Sequence, residues 1–472
     1  MINNSTKCFL DRTPEQGEIR NWLIQNKVKI VVGHPTFQNH DNINKLLHSD
    51  IDAINKTYPD VSVAIIISDG SSDKKTITAC EEAASGTNVK IFAAPYDGYK
   101  GRSIPGKGSA LRLIFEEIEN TPVDTLILLD GDLKNNFTEW FSAYRKILNE
   151  HKQNYPGKEA FITARYARHF VDASITRNVV GPLTTLLGTY VPGGISGDIV
   201  LTAGAAALEL KSEWTEARCR YGTDIATTFD NIGNGTVIYE AYLGAKLHDI
   251  TDDAKLTVMP GEVIGSALER LLSFEKADGR VSRIIKDKTF ELKNPICYGP
   301  EKTGIKFINP GRTAAFSLAK KRESLVSRFP AFESDLKRAL PAASFQKIKT
   351  NVSLLESAFK NGSDSPLFIS VTPAYWCSLL YESLSYFFKT LDIDTAKKAM
   401  NYLYTAAFLE TCAERLSELG LRTAKQIETV EKNLGVDDNK AYDFYTNNVD
   451  GASLKLATEF FKGRESIKWQ SR

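Results

Sequence analysis

Short, β-rich apolar runs separated by longer amphipathic stretches govern the first half of this chain. The runs occupy residues 28–33, 63–68, 89–94, 125–130 and 160–165. Each is too short for a helix and apolar without alternation, the pattern of strands buried on both faces of a parallel sheet. Between them, apolar residues recur at helical spacing. Ile43, Leu46, Leu47, Ile51 and Ile54 form one stripe, Leu111, Phe115 and Ile118 a second, and Trp140, Tyr144 and Ile147 a third. Strand alternating with helix implies βαβ crossovers and a three-layer α/β fold.

Past about residue 255 the pattern changes and helical periods dominate. Trp376, Leu379, Leu380, Leu384 and Phe387 share one stripe, and Met400, Leu403, Tyr404, Ala407, Phe408 and Cys412 another. These aromatic stripes read as core. A further helix is expected to close at Gly435, and residues 294–311, rich in Pro and Gly, read as a loop. A length of 472 residues exceeds one ordinary core. The expectation is a catalytic α/β domain over residues 1–255, with a short helical lead-in, and a mainly α-helical domain over 256–472.

Charge excludes some function classes. Lys plus Arg (59) balances Asp plus Glu (58), so bulk electrostatics favours neither a nucleic-acid nor a membrane partner. No apolar run reaches the ~18 residues of a membrane span, and the first residues lack the apolar core of a signal peptide. Cys8, Cys80, Cys219, Cys297, Cys377 and Cys412 are scattered without a CxxC pair. That spacing predicts reduced, mostly buried thiols and a cytoplasmic protein.

The most informative stretch is Leu126-Ile-Leu-Leu-Asp130-Gly131-Asp132. A buried strand delivers two aspartates at its carboxyl end, where open α/β sheets bind ligands. Hard oxygen donors there suit Mg2+ or Mn2+ bridging a diphosphate. A lone D-x-D would read as a solvated acidic turn, but its neighbours are informative. Ser68-Asp69-Gly70-Ser71 follows the second run, and Pro35-Thr36-Phe37-Gln38-Asn39 follows the first. Pro105-Gly106-Lys107-Gly108 opens a helix, where a lysine would face phosphate oxygens. Successive polar turns thus gather on one sheet edge.

Three other readings compete. Gly101-Arg-Ser-Ile-Pro-Gly106-Lys107 matches the opening of a Walker A loop, so a P-loop-like ATPase is one alternative. Against it, Gly108 follows the lysine where a Ser or Thr hydroxyl would ligate Mg2+, and the preceding strand ends too early. A sugar nucleotidyltransferase would carry a glycine- and arginine-rich loop where Gly33-His-Pro-Thr-Phe stands. A non-catalytic nucleotide-sugar-binding protein is the third, and degenerate members of such enzyme families often lose the metal ligands first.

The ordered set HPTFQN, SDGSSD, PGKGSAL and LLDGD resembles the GT-A glycosyltransferases, and within them the retaining enzymes making glucosyl-3-phosphoglycerate and related mannosyl- or glucosylglycerates. Thr176-Arg-Asn-Val-Val-Gly-Pro is similar to the family's acceptor-side helix and Gly193-Gly-Ile-Ser-Gly-Asp198 to its glycine-rich turn. Arg220-Tyr221-Gly-Thr-Asp224 and Leu243-Gly-Ala-Lys-Leu-His248 are similar to its Tyr-Gly-x-Glu and Leu-Gly-x-x-x-His elements.

The resemblance implies a metal-dependent hexosyltransferase, assembled as a homodimer, using a nucleotide-sugar donor and a small hydroxylated acceptor such as glycerate, 3-phosphoglycerate or a glycosylglycerate. Asp132 and His248 would hold Mg2+ or Mn2+. Pro35, Gln38, Asp69, Lys107, Asp130 and Gly131 would line the donor, and Ser174, Thr176 and Tyr221 the acceptor. Asp224 falls where the family has a catalytic-site glutamate. Ser174 stands where phosphoglycerate-using members carry arginine, which favours an uncharged or carboxylate acceptor.

Overall fold

The computed structural model describes residues 7–9, 12–84, 86–167, 173–248, 253–306, 318–361, 371–418 and 439–469. The chain divides into two compact units. Met1–Ala167, Gly193–Asp249 and Pro295–Ile308 form the first; Arg168–Pro192, Ile250–Asn294 and Asn309–Arg472 form the second. Relative to a single boundary near residue 255, Arg168–Pro192 and Pro295–Ile308 change sides.

In chain order the first unit begins β1 (Lys7–Phe9), α1 (Glu18–Gln25), β2 (Ile30–Thr36), α2 (Ile43–Thr57), β3 (Val63–Asp69), α3 (Lys75–Ala83) and β4 (Lys90–Pro95). It continues through α4 (Lys107–Ile118), β5 (Thr125–Leu128), α5 (Thr138–Asn154) and β6 (Ala160–Ala167). The short α6 (Gly181–Thr184) belongs to the second unit. The first resumes with β7 (Ile199–Thr202), α7 (Ala203–Lys211), α8 (Glu216–Cys219), α9 (Thr223–Gly233) and β8 (Val237–Ala245).

The sheet order is β1-β4-β3-β2-β5-β7-β6-β8-β9, where β9 is Ile296–Tyr298. All neighbours are parallel except β7, which runs antiparallel to both β5 and β6. The chain proceeds from β2 to β3 and β4 on one side and returns to place β5 on the other. That reversal makes the crevice beyond the carboxyl ends of β2 and β5 a topological switch point, the favoured ligand position in such sheets.

Alternation of buried side chains builds three layers. Val32, Ile65, Ile67 and Ile127 join one apolar cluster with Ile43, Leu47, Phe141 and Ile147 from α2 and α5. Complete burial of each such residue contributes about 1.5–3 kcal/mol. On the opposite face, Gly33 lets Ile114 of α4 approach the sheet; a Cβ there would lie 3.0 Å from its Cδ1. The expected α/β fold and mainly helical remainder are what the chain adopts.

Two local expectations change. Residues 294–311, read as a loop, contain β9 and α12 (Pro300–Thr303) among the described positions. The strand is only three residues long, too short to show alternation, and forms because β8 offers it a parallel edge. Pro300 then opens α12 at a position where its missing N–H costs nothing. The strands β1, β7 and β8 also lack a counterpart among the apolar runs read from sequence.

The second unit contains α10 (Asp253–Asp278), α11 (Arg280–Lys286), α13 (Leu318–Ala339), α14 (Ala342–Lys360), α15 (Pro373–Thr390), α16 (Ile393–Glu418) and α17 (Asn439–Lys462). Both aromatic stripes are buried: Leu379, Leu384, Phe387 and Met400 are wholly inaccessible. Trp376 is 2% exposed and its indole N–H donates to Asn178 O at 2.7 Å, satisfying the ring's polar atom inside the core. The helix expected to end at Gly435 lies outside the described residues. No helix among those residues is long and apolar enough to cross a membrane. Cys80, Cys219, Cys377 and Cys412 are buried free thiols and Cys297 is an exposed one, while the Cys8 side chain lies outside the described set.

Candidate active site

Parallel pairing brings the ends of β2 and β3 level, with Thr36 opposite Asp69. Their side chains meet there: Thr36 Oγ1 donates to Asp69 Oδ1 at 2.8 Å, and Ser71 Oγ donates to the same oxygen at 3.0 Å. Asp69 is 1% exposed, and its second oxygen, Oδ2, accepts no hydrogen bond among the described residues. Burial raises its carboxyl above the usual range, against the lowering effect of Thr36 and Ser71. Gln38 takes a left-handed backbone (φ 56°), and its N–H donates to Ser71 Oγ at 2.8 Å. Pro35 is half-buried on β2, beside the exposed Phe37.

Beyond β5, Asp130 is gripped from two sides. Lys107 Nζ lies 2.7 Å from Oδ1 and Lys246 Nζ 2.5 Å from Oδ2. Burial alone would raise this carboxyl, but the two ammoniums outweigh it and hold it far below the ordinary range. Lys246 also contacts Asp198 Oδ2 at 2.6 Å and donates to Ser196 O at 2.8 Å. Asp198 is in turn fastened by Tyr166 OH, which donates to Oδ2 at 2.6 Å, and by Asp130 N–H, which donates to Oδ1 at 2.9 Å. Gly131 is required here by close approach: a Cβ would sit 2.5 Å from Pro35 O.

Lys107 opens α4, an unfavourable place for a cation next to the positive end of the helix dipole. It is tolerated because Asp224 Oδ2 lies 2.9 Å away, in addition to Asp130. Desolvation pulls the Lys107 ammonium down, yet these carboxylates raise its pKa well above normal. Asp224 occupies the first turn of α9. Its carboxyl is raised by burial, with Lys107 lowering it and Asp130 raising it.

Asp132 follows on the same turn and is half-buried. Leu133 and His248 form an antiparallel bridge, which sets His248 against the Asp132 turn. Burial and the neighbouring Asp130 charge raise the Asp132 carboxyl, and His248 and Lys246 lower it. Among the described residues no three His, Cys, Asp or Glu side chains gather closely enough to hold a metal ion. An Asp–His pair nevertheless fits Mn2+ or Mg2+, since such ions take one or two protein donors and complete their shell with phosphate oxygens and water. Among the described residues, the carboxylates Asp130, Asp132, Asp198 and Asp224 outnumber the lysines Lys107 and Lys246 in this cluster, a donor set compatible with a divalent cation.

The structure therefore gathers Asp69, Lys107, Asp130, Gly131, Asp132, Asp224 and His248 on the carboxyl edge of the first unit. Tyr221 lies there too, in the turn between α8 and α9. Ser174 and Thr176 belong to the second unit, where the Ser174 hydroxyl is paired with Tyr404 OH. The sequence motifs assign no site role to Asp198 or Tyr166, and offer Lys246 only as a substitute cation for the acceptor-side arginine that Ser174 replaces. The available signal is position: Lys246 directly follows β8, and Asp198 immediately precedes β7.

The Walker-like loop has a different use. Gly106 N–H donates to Tyr96 OH at 2.8 Å, and Gly108 N–H to Arg220 O at 3.1 Å. These backbone donors are committed to the protein, and Lys107 faces carboxylates, so the loop does not form a phosphate cradle of that type.

No family model and no curated protein matches this chain. Solved structures of glucosyl-3-phosphoglycerate synthase from Mycobacterium tuberculosis are similar to it. The complex with Mn2+, uridine-diphosphate-glucose and glycerol 3-phosphate shares 20% identity over 56% of this chain and 87% of that one, with a TM-score of 0.39. The phosphoglyceric acid complex shares 19% identity, with the same coverages and a TM-score of 0.40. For the complex with Mg2+ and uridine-diphosphate the figures are 19%, 53%, 83% and 0.39.

Proposed function

We propose that the chain is a metal-dependent glycosyltransferase that moves a hexose from a nucleotide-diphosphate sugar, UDP-glucose or GDP-mannose, to a small hydroxylated acceptor such as glycerate, 3-phosphoglycerate or a glycosylglycerate. The observation that carries this reading is the convergence of Lys107, Asp130 and Asp224 beside the Asp132–His248 pair at the switch point.

Each group has a role that its surroundings support. Asp69 Oδ2, unpartnered among the described residues, is a buried acceptor suited to a ribose hydroxyl or base N–H. Asp132 and His248 would hold Mg2+ or Mn2+, which when bound offsets charge on a departing diphosphate. Lys107 supplies a fixed positive charge on the same side and keeps Asp130 ionised. Asp224 orients a sugar or acceptor hydroxyl while Lys107 fixes its position. Such a site works through positioning and preorganised charge more than through a strong protein base, consistent with transfer that retains anomeric configuration.

The test is incubation with UDP-glucose or GDP-mannose, Mn2+ or Mg2+, and each acceptor in turn. Mass spectrometry should find a hexosyl product with matching release of nucleoside diphosphate, and NMR should show an anomeric centre of unchanged configuration. Absence of sugar-nucleotide binding and transfer, with binding of ATP alone, would overturn the reading.

A further inference from the structure

Behind the Lys107–Asp224 pair lies a buried charge cluster with no direct role in the proposed chemistry. Arg218, 1% exposed, reaches Glu209 Oε2 at 2.7 Å and Asp230 Oδ2 at 3.1 Å, and both carboxylates are fully buried. Thr227 Oγ1 donates to Glu209 Oε2 at 2.8 Å. The guanidinium also lies over the Trp214 ring, 4.5 Å from its centroid, while the indole N–H donates to Glu209 O at 2.9 Å.

The cluster is joined to both carriers of the site. The carbonyl of Arg218 abuts α4 so closely that a Cβ on Gly108 would lie 1.9 Å from it, and Gly108 N–H donates to Arg220 O at 3.1 Å. A Cβ on Gly106 would lie 2.5 Å from Cys219 O. The residues on either side of Lys107 thus rest on the backbone that carries Arg218. Asp224 shares α9 with Thr227 and Asp230, both of which enter the cluster.

Two carboxylates share the Arg218 guanidinium in a buried site, which sets like negative charge side by side. Burying it is costly, and proton uptake by one carboxylate relieves the cost. We propose that Glu209, Arg218 and Asp230 form a proton-dependent positioning network that sets the Lys107–Asp224 pair. This inference rests on the functional reading of that pair. Burial and Asp230 raise the Glu209 carboxyl, with Arg218 and Thr227 opposing them, and leave it at about 7.

Among the described residues, the charged groups facing Glu209 are Arg218 from α8 and Asp230 from α9. On α4, Arg112 is directed over Trp214, its guanidinium 5.3 Å from the ring centroid. The adjoining strands β5 and β7 contain no ionisable side chain.

Hydrogen exchange of the peptides spanning residues 106–110 and 220–226, corrected for intrinsic rates, tests this without any substrate. In the unaltered protein, protection at pH 6 should exceed that at pH 8 several-fold. Glu209→Gln, which mimics the protonated state, should keep high protection at both pH values. Asp230→Asn removes the negative charge that raises the Glu209 carboxyl and should also remove the response. The idea is overturned if the unaltered protein shows no response, or if a folded variant keeps it. Where transfer is measured, the same ionisation should appear in the kcat/KM profile and vanish in Glu209→Gln. Failure of transfer would refute the proposed function and leave the exchange result to decide the network.

Discussion

Lys107 donates to Asp224 at 2.9 Å although 117 positions separate them in sequence. One ammonium thereby fastens the start of α4 to the start of α9, and it binds Asp130 as well. Lys107→Met keeps the aliphatic stem and removes the charge. Asp130 retains Lys246, but Asp224 is left as a poorly solvated carboxylate beside another. Unfolding in urea should show a loss of about 2–4 kcal/mol, because removing one partner strands the other. Hexosyl transfer should fall by about two orders of magnitude, the scale of a lost electrostatic contact at a reacting centre.

Two glycines offer opposite outcomes. At Gly108, an added methyl would meet the Arg218 carbonyl at 1.9 Å, and a backbone oxygen cannot turn away as a flexible side chain does. Gly108→Ala should cost about 1–3 kcal/mol as overpacking and weaken donor binding by shifting Lys107. Gly451 stands inside α17, and an added methyl there would meet nothing within 4 Å. Gly451→Ala should stabilise by about 0.5–1 kcal/mol through helix propensity. Paired urea titrations distinguish the two signs.

Much of the sheet is legible in the sequence because strands buried on both faces cannot hide their apolar runs: β2 to β6 all follow such runs. The turn residues at their carboxyl ends are legible for a related reason, since a parallel sheet delivers every one to the same edge. Less visible are strands shaped by their neighbours. β7 is four residues long, and β8 carries Glu240 and Gly244 among its apolar positions. With β8 hidden, Lys246 does not stand out as a strand-end residue, although it grips Asp130 and Asp198. The cluster of Glu209, Arg218 and Asp230 carries no local motif, because its members come from three helices and meet only through tertiary packing.

Asp132 is placed at a cost to the unliganded protein, because burial and the charge on Asp130 both raise its carboxyl. Neutralising it with Asp132→Asn should therefore leave the metal-free fold unchanged or stabilise it by up to about 1 kcal/mol, as for strained functional groups generally. Calorimetric titration with Mn2+ in the presence of UDP should show affinity reduced at least about 10–100-fold. A normal Mn2+ isotherm in this variant would remove Asp132 from the ligand set, and His248→Ala tests its partner in the same way.

The Glu209 carboxyl stands at about 7 in the folded chain, against about 4.3 for an unperturbed glutamate. Between those values the native state binds more protons than the unfolded state, so stability falls as pH rises. The favourable contribution is complete below about pH 4.3 and exhausted once pH passes about 7, with a slope no steeper than about 1.4 kcal/mol per pH unit. Asp130 acts in the opposite sense, because its folded carboxyl is held far below the ordinary range. Its contribution is present above about pH 3.8 and is lost on further acidification, outside the Glu209 window. Urea unfolding at pH 5, 6, 7 and 8 should accordingly give declining stability that flattens near neutrality. Glu209→Gln should flatten the decline between pH 5 and 7, and an equal decline in that variant would mean that another group titrates there.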